Sequence, residues 1–294
     1  MLMAARTAPV SGHFLGTLPF LLAGCLPFWA GTLLAQVSGY PLRFGVMLAG
    51  TLAVASLVLA AFAARENFAP GAGRCPAWRL RAVKGPERQA YALLGVAALM
   101  GAILQFFYHT GDLTIPLGAL GVLGGYFYFA PPLAWRRRGL GEAVGALCFG
   151  LLPLATGFYL QSGYWVAEEL LYGLPLSFAG FNLFLMYGFP DPREEAPGRH
   201  SLAARLGPVP VALIYTVGNV LVILGMVVIL IFPASPLPWG NAIWPLLLLA
   251  VVNQELIKRR AYREETRLRL LCRLSLALHL GMGLIFNLML WARL

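Results

Sequence analysis

Gly188-Phe189-Pro190-Asp191-Pro192-Arg193-Glu194-Glu195-Ala196-Pro197-Gly198-Arg199-His200-Ser201-Leu202-Ala203-Ala204-Arg205-Leu206-Gly207-Pro208 is the polar interruption between two apolar runs, 166–187 and 209–232. It gathers three carboxylates, three arginines and a Pro-Gly break. Roughly 20 apolar residues cross the hydrocarbon core of a bilayer as a helix, and each flanking run is that long. A charged loop between two such runs predicts a membrane bundle with a charged, carboxylate-bearing mouth.

The whole chain has the same character. Of 294 residues, 59% are apolar and only 12% charged, too little polar surface to cover a soluble globule. No stretch of ordinary polar composition is long enough for a second domain, so residues 1–294 are expected to form a single transmembrane domain. The net charge of +10 sits in short segments between apolar spans, a distribution that suits an anionic membrane surface and anionic substrates and argues against nucleic acid. Cys25, Cys75, Cys148 and Cys272 have no paired spacing, so neither a disulfide framework nor a zinc site is expected. The apolar run from His13 is too long for a signal-peptide core and reads as a retained first span.

Nine runs have the composition of a span: 13–36, 42–65, 88–109, 113–131, 140–161, 166–187, 209–232, 239–255 and 270–291. Lipid cannot satisfy open backbone groups, and the runs lack the alternation of barrel strands, so the expected fold is all-α, a polytopic bundle of nine transmembrane helices. Nine crossings place 20 of the 22 basic residues on one side, with Arg43 and Arg293 opposite. Cytoplasmic loops retain positive charge, which predicts a cytoplasmic N-terminus, insertion in the inner (plasma) membrane and a cytoplasmic active face.

Three loops on that face carry the polar chemistry. Asp191, Glu194 and Glu195 are close enough to bind divalent cations through oxygen, with Arg199 nearby to fork onto phosphate. The same letters also make a helix start, with Asp191 as cap, Pro192 in the first turn and Glu194 closing a capping box, and the two readings are compatible. Glu66 and Asn67 at the end of the second span offer a second set of oxygens, or only an interfacial ion pair with Arg65. Arg74 and its basic neighbours suit lipid headgroups or a diphosphate. Tyr128, Trp135, Arg136 and Arg137 surround a Pro131-Pro132 turn and would place a planar acceptor beside an anion, or form an aromatic belt with snorkelling arginines.

The letters of these loops resemble the UbiA superfamily of intramembrane prenyltransferases, and within it the menaquinone-type dihydroxynaphthoate prenyltransferases. Gly198-Arg199-His200-Ser201-Leu202-Ala203-Ala204-Arg205-Leu206-Gly207 is similar to that branch's Gly-Lys-Arg-Thr-Leu-Ala-Val-Arg-Leu-Gly. Pro132-Leu133-Ala134-Trp135 and Gly139-Leu140-Gly141-Glu142 are similar to its Pro-Leu-x-Tyr and Gly-Leu-Gly-Glu. The resemblance implies a bundle around a central cavity open sideways to lipid, and Mg²⁺ held by two aspartate-rich motifs. The first motif falls here on Arg65, Glu66 and Ala69, and the second on Pro190 and Glu194 before Gly198, with Asp191 one position out of register; Glu66, Asp191, Glu194 and Glu195 are the expected metal ligands. It implies an isoprenyl diphosphate held by Asn67, Arg74, Arg136, Arg137 and Arg199, with an aromatic quinone precursor near Tyr128 and Trp135. The first motif departs from the family pattern: Arg65 stands for its opening Asn, Glu66 for its central Asp, and Ala69 for its last Asp.

Two functions follow as expectations. One is Mg²⁺-dependent prenyl transfer to a quinone precursor at the cytoplasmic face. The other is a catalytically impaired subunit that binds an isoprenoid or quinone, with room for partner subunits in a membrane complex. Both require the ends of the second and sixth spans to converge on one chamber. The in-span residues Asn182, Asn219, Asn253, Gln254 and Asn287 either line that chamber or bridge helices, while Glu168 and Glu169 are expected on the outer surface.

Overall fold

The computed structural model describes residues 11–69, 85–189, 201–231 and 240–294, and everything regular among them is helical. The helices are α1 (Ser11–Val37), α2 (Phe44–Phe68), α3 (Pro86–Ala102), α4 (Thr114–Gly125), α5 (Gly141–Cys148), α6 (Leu151–Ser162), α7 (Glu168–Tyr187), α8 (Leu202–Leu206), α9 (Pro208–Ile231), α10 (Ile243–Lys258) and α11 (Glu265–Trp291). The all-α expectation therefore holds.

Eight helical stretches among the described residues are long and apolar enough to cross a membrane. The run expected at 113–131 is shorter: Thr114–Tyr128 is apolar but falls below spanning length, because α4 gives way to a 3₁₀ turn at Tyr126–Tyr128. Three residues of 3₁₀ helix leave the chain at the aromatic cluster Tyr126 to Phe129. Part of the fourth run thus builds the wall of a cleft.

The run at 140–161 is one crossing made of two helices, α5 and α6, broken at Phe149-Gly150. A break inside the apolar layer frees backbone donors that lipid cannot satisfy. Here Ser177 on α7 accepts the Leu151 amide at 2.9 Å. A Cβ on Gly150 would lie 2.3 Å from the Ser177 hydroxyl oxygen, so only glycine lets α7 come close enough to repair the break.

α1 and α7 are the most enclosed spans, and α3 and α10 the most lipid-facing. α1 packs on α6 and α11, α7 on α5, α9 and α11, and α2 on α3. Association inside lipid depends on close packing of small residues and on hydrogen bonds between helices. The α1–α6 crossing shows the first: an added Cβ on Gly157 would sit 2.1 Å from the Phe28 carbonyl oxygen. The second is supplied by residues that sequence left between two roles. Asn219 donates to the Ala250 carbonyl at 2.8 Å and to Gln254 at 3.2 Å, joining α9 to α10. Asn287 donates to the Leu26 carbonyl at 2.8 Å, joining α11 to α1. For these residues the bridging role is the one realised.

Two expectations are corrected. Glu169 is buried, with Oε1 accepting the Val166 amide at 3.1 Å, instead of standing on the outer surface; its carboxylate caps its own helix entry. Cys272 is disulfide-bonded, against the expectation of no disulfide, while Cys25 and Cys148 are free thiols and Cys75 lies outside the described residues.

Gly157→Leu is expected to lower the thermal-unfolding midpoint in detergent, because the added side chain forces α1 and α6 apart at an overpacking cost of about 1–3 kcal/mol. Gly95→Ala, where an added Cβ meets nothing within 4 Å, is the matched control and should leave the midpoint unchanged or raise it.

Candidate functional site

The ends of α2 and α7 meet on one small cleft. Arg65 comes from the last turn of α2; Phe184, Tyr187 and Gly188 come from the end of α7; Tyr128, Phe129 and Arg136 come from the segment after α4. Phe184 and Tyr187 are three residues apart and therefore share a helix face.

A second, apolar space shares Tyr128, Phe129 and Phe184 with the first. The rest of its lining is apolar or small: Val58, Ala61 and Phe62 from α2, Gly124 and Gly125 from α4, Gly145 and Cys148 from α5, and Phe149. Two guanidinium groups thus lie beside a hydrocarbon-lined space, with an aromatic partition between them. Tyr128 packs at 4.7 Å from Phe129 and 5.6 Å from Phe184, and Phe184 at 5.2 Å from Phe149.

Arg65 is only 2% exposed, and its Nη1 lies 3.1 Å from Oε1 of Glu66. Asn67 is exposed and absent from both linings. Of the first oxygen set read from sequence, then, Glu66 is engaged by its neighbour, and Arg65 lines the cleft.

The segment after α4 is tied down at several points. Trp135 Nε1 donates to the Leu123 carbonyl at 2.7 Å, and the indole lines neither space. Arg137 donates to the Phe68 carbonyl at 3.0 Å, and its own carbonyl accepts from Arg205 at 3.1 Å. Arg138 closes its own turn onto Leu133 and Pro132. Of this group, Tyr128 and Arg136 line the cleft, while Trp135 and Arg137 hold the frame around it.

Arg74, Asp191, Glu194, Glu195 and Arg199 lie outside the described residues. The two ends of the segment that carries the acids are nevertheless pinned together. Ser201 Oγ donates to the Gly188 carbonyl at 3.0 Å and accepts the Ala204 amide at 3.2 Å as the cap of α8. Glu142 Oε1 accepts the Leu202 amide at 3.2 Å, and an added Cβ on Gly188 would lie 3.1 Å from the same oxygen. Glu142 is 3% exposed, so a buried carboxylate at the start of α5 clasps the neck of the loop. Sequence reading quoted Glu142 only inside a motif; its position after Gly141 in the first turn was the available signal.

A divalent ion needs several oxygen ligands. Among the described residues no group of three or more His, Cys, Asp or Glu comes together, and the one carboxylate proposed there, Glu66, faces Arg65. The described part of the mouth therefore does not by itself fit Mg²⁺, and the two guanidinium groups supply its positive charge.

A basic cleft beside an apolar space inside a helical membrane bundle is the arrangement that the described residues define. The UbiA prenyltransferase family model matches residues 77–279, and the chain belongs to that family. The match begins after the Arg65-Glu66 stretch. The fold is similar to that of a UbiA homolog from Aeropyrum pernix K1 in its apo structure, with a TM-score of 0.65 and 18% identity over 90% of this chain and 96% of that one. A UbiA homolog from Archaeoglobus fulgidus is similar at a TM-score of 0.62 and 15% identity, over 96% of this chain and 98% of that one. A comparison with curated proteins found no match.

Glu142→Ala is expected to lower the unfolding midpoint by the equivalent of about 1–3 kcal/mol, since the Leu202 amide loses a buried acceptor. Glu142→Gln keeps an oxygen at that position and should recover most of the loss, as a thermal melt in detergent would show.

Proposed function

We propose that this chain transfers an isoprenyl group from an isoprenyl diphosphate to an aromatic quinone precursor of the menaquinone type. In this reading it is one domain over residues 1–294, with its active face at the cytoplasmic side of the inner membrane. The observation that carries the proposal is the two-part site. Arg65 and Arg136 line a cleft that shares Tyr128, Phe129 and Phe184 with an apolar chamber.

The chemistry follows from those residues. Guanidinium groups in a water-poor cleft bind a diphosphate and favour its departure, because charge interactions strengthen as the dielectric falls. Breaking the allylic C–O bond leaves a carbocation. The faces of Tyr128, Phe184 and Tyr187 carry the negative side of their ring quadrupoles and stabilise a nearby cation. The same rings exclude water, which would otherwise capture it. The acceptor ring then forms the new C–C bond and gives up a proton. The hydrocarbon tail is assigned to the apolar lining between α2, α4 and α5.

Mg²⁺ dependence belongs to this reading, with Glu66, Asp191, Glu194 and Glu195 as ligands and Asn67, Arg74, Arg137 and Arg199 assisting around the diphosphate. When bound, the ion supplies neutralisation of diphosphate charge.

Purified protein in nanodiscs, given an isoprenyl diphosphate and a dihydroxynaphthoate, is expected to release diphosphate only with Mg²⁺ and to lose that release in Glu194→Ala. Arg136→Ala should reduce kcat/KM by about 100-fold, the scale of removing one preorganised donor from a developing anion. Retention of a quinone or isoprenoid with no diphosphate released under any condition overturns transfer and establishes a non-transferring binder.

A further inference from the structure

The turn between α10 and α11 carries a cluster of cations that the mouth does not use. Three of its arginines are neutralised locally: Arg259 by Glu255 at 2.7 Å, Arg267 by Glu264 at 2.8 Å, and Arg269 by Glu265 at 3.7 Å. Lys258, Arg260, Arg263 and Arg273 are exposed and form no salt bridge or side-chain hydrogen bond among the described residues, although the Lys258 charge also acts on Glu255. The contrast with the segment after α4 is specific. There Arg137, Arg138 and Arg205 each donate to a backbone carbonyl and hold the frame.

The turn is rigid. Arg260 adopts a left-handed conformation at φ 56°, the Arg263 amide donates to the Arg260 carbonyl at 2.9 Å, and Ala261 and Tyr262 are buried beneath. Because α10 and α11 are both membrane-spanning in length and composition, the turn that joins them lies at headgroup depth.

Apolar surface continues below the charges. Val251, 54% exposed, lies two turns before Lys258 on α10, on the membrane side of that charge. Cations above an exposed aliphatic side chain match a phosphate headgroup with acyl chains beneath it, better than they match an acidic peptide, which has no apolar tail to place in the bilayer.

We propose that Lys258, Arg260, Arg263 and Arg273 form a binding surface for anionic phospholipid headgroups. The surface connects with the functional mouth. Tyr262, buried in the turn, packs 5.8 Å from Phe189, which follows the cleft-lining Gly188. A lipid seated on the turn therefore braces the end of α7.

Native mass spectrometry of the full chain, titrated with phosphatidylglycerol and with phosphatidylcholine, tests the surface directly. The parent protein is expected to retain phosphatidylglycerol preferentially and to melt at a higher temperature in its presence. Each basic side chain near an anionic surface contributes a roughly fivefold gain in binding. The combined Lys258→Gln, Arg260→Gln, Arg263→Gln, Arg273→Gln variant should lose the preference by well over tenfold, while Arg88→Gln on α3 keeps it. Should the fourfold variant fail to fold, Arg263→Gln alone should show a roughly fivefold loss. Equal retention of the two lipids by the parent, or an unchanged preference in the variants, overturns the proposal. Displacement of phosphatidylglycerol by excess inorganic phosphate also overturns it, in favour of a free-phosphate site. Neither readout depends on prenyl transfer, so failure here and failure of the proposed reaction are distinguishable.

Discussion

A guanidinium group taken out of water at the end of a membrane helix demands negative charge or polar partners around it, and Arg65 places that demand at the centre of this protein. Removing an ion from water costs several kcal/mol after relaxation. Glu66, 3.1 Å away, meets part of it. Arg65 lines the cleft together with Arg136, Tyr187 and Gly188. The convergence of α2 and α7 matters because it places that buried cation beside Arg136 on one cleft.

Everything next to that cation is arranged to keep the site narrow and dry. The partition of Tyr128, Phe129 and Phe184 separates the charged cleft from the apolar chamber while touching both. The chamber exists because its walls carry glycine where helices approach: an added Cβ at Gly124 would lie 2.2 Å from the Cys148 sulfur, and one at Gly145 would lie 2.6 Å from the Phe184 ring. Larger residues there would force the walls apart or fill the space. The break between α5 and α6, repaired by Ser177, delivers Glu142 to the neck of the loop that carries Asp191, Glu194 and Glu195. A helix discontinuity in the apolar layer and a clasp at its polar end are two consequences of one kinked crossing.

Polar groups elsewhere in the bundle act as fasteners. Tyr215 and Ser275 share a hydrogen bond of 2.8 Å between α9 and α11, and Asn219 and Gln254 join α9 to α10. The half of the bundle behind the mouth is therefore held by directional bonds, which lipid does not compete for. It forms a stiff support for α7 and for the α10–α11 turn. Charges at that turn face outward and those near the cleft face inward or into the frame.

Composition and hydropathy alone determined that this is a helical membrane protein, because no soluble arrangement covers so much apolar surface, and the loop letters around Gly139–Glu142 and Gly198–Gly207 were enough to indicate the family. The basic loops were legible for the same reason: charge is excluded from the hydrocarbon core, so it marks the loops. Tertiary structure alone decided which arginines line the cleft and which brace it. Arg65, Arg136 and Arg137 look alike as letters, yet Arg137 is spent on the Phe68 carbonyl. It also decided that the fourth run ends in a 3₁₀ turn and the fifth is broken, since the packing of α7 against Gly150 and Gly145 sets those geometries and leaves no periodic trace. Sequence spacing reports neighbours along a helix face. The cleft is made by residues more than a hundred positions apart, whose meeting depends on how the whole bundle closes.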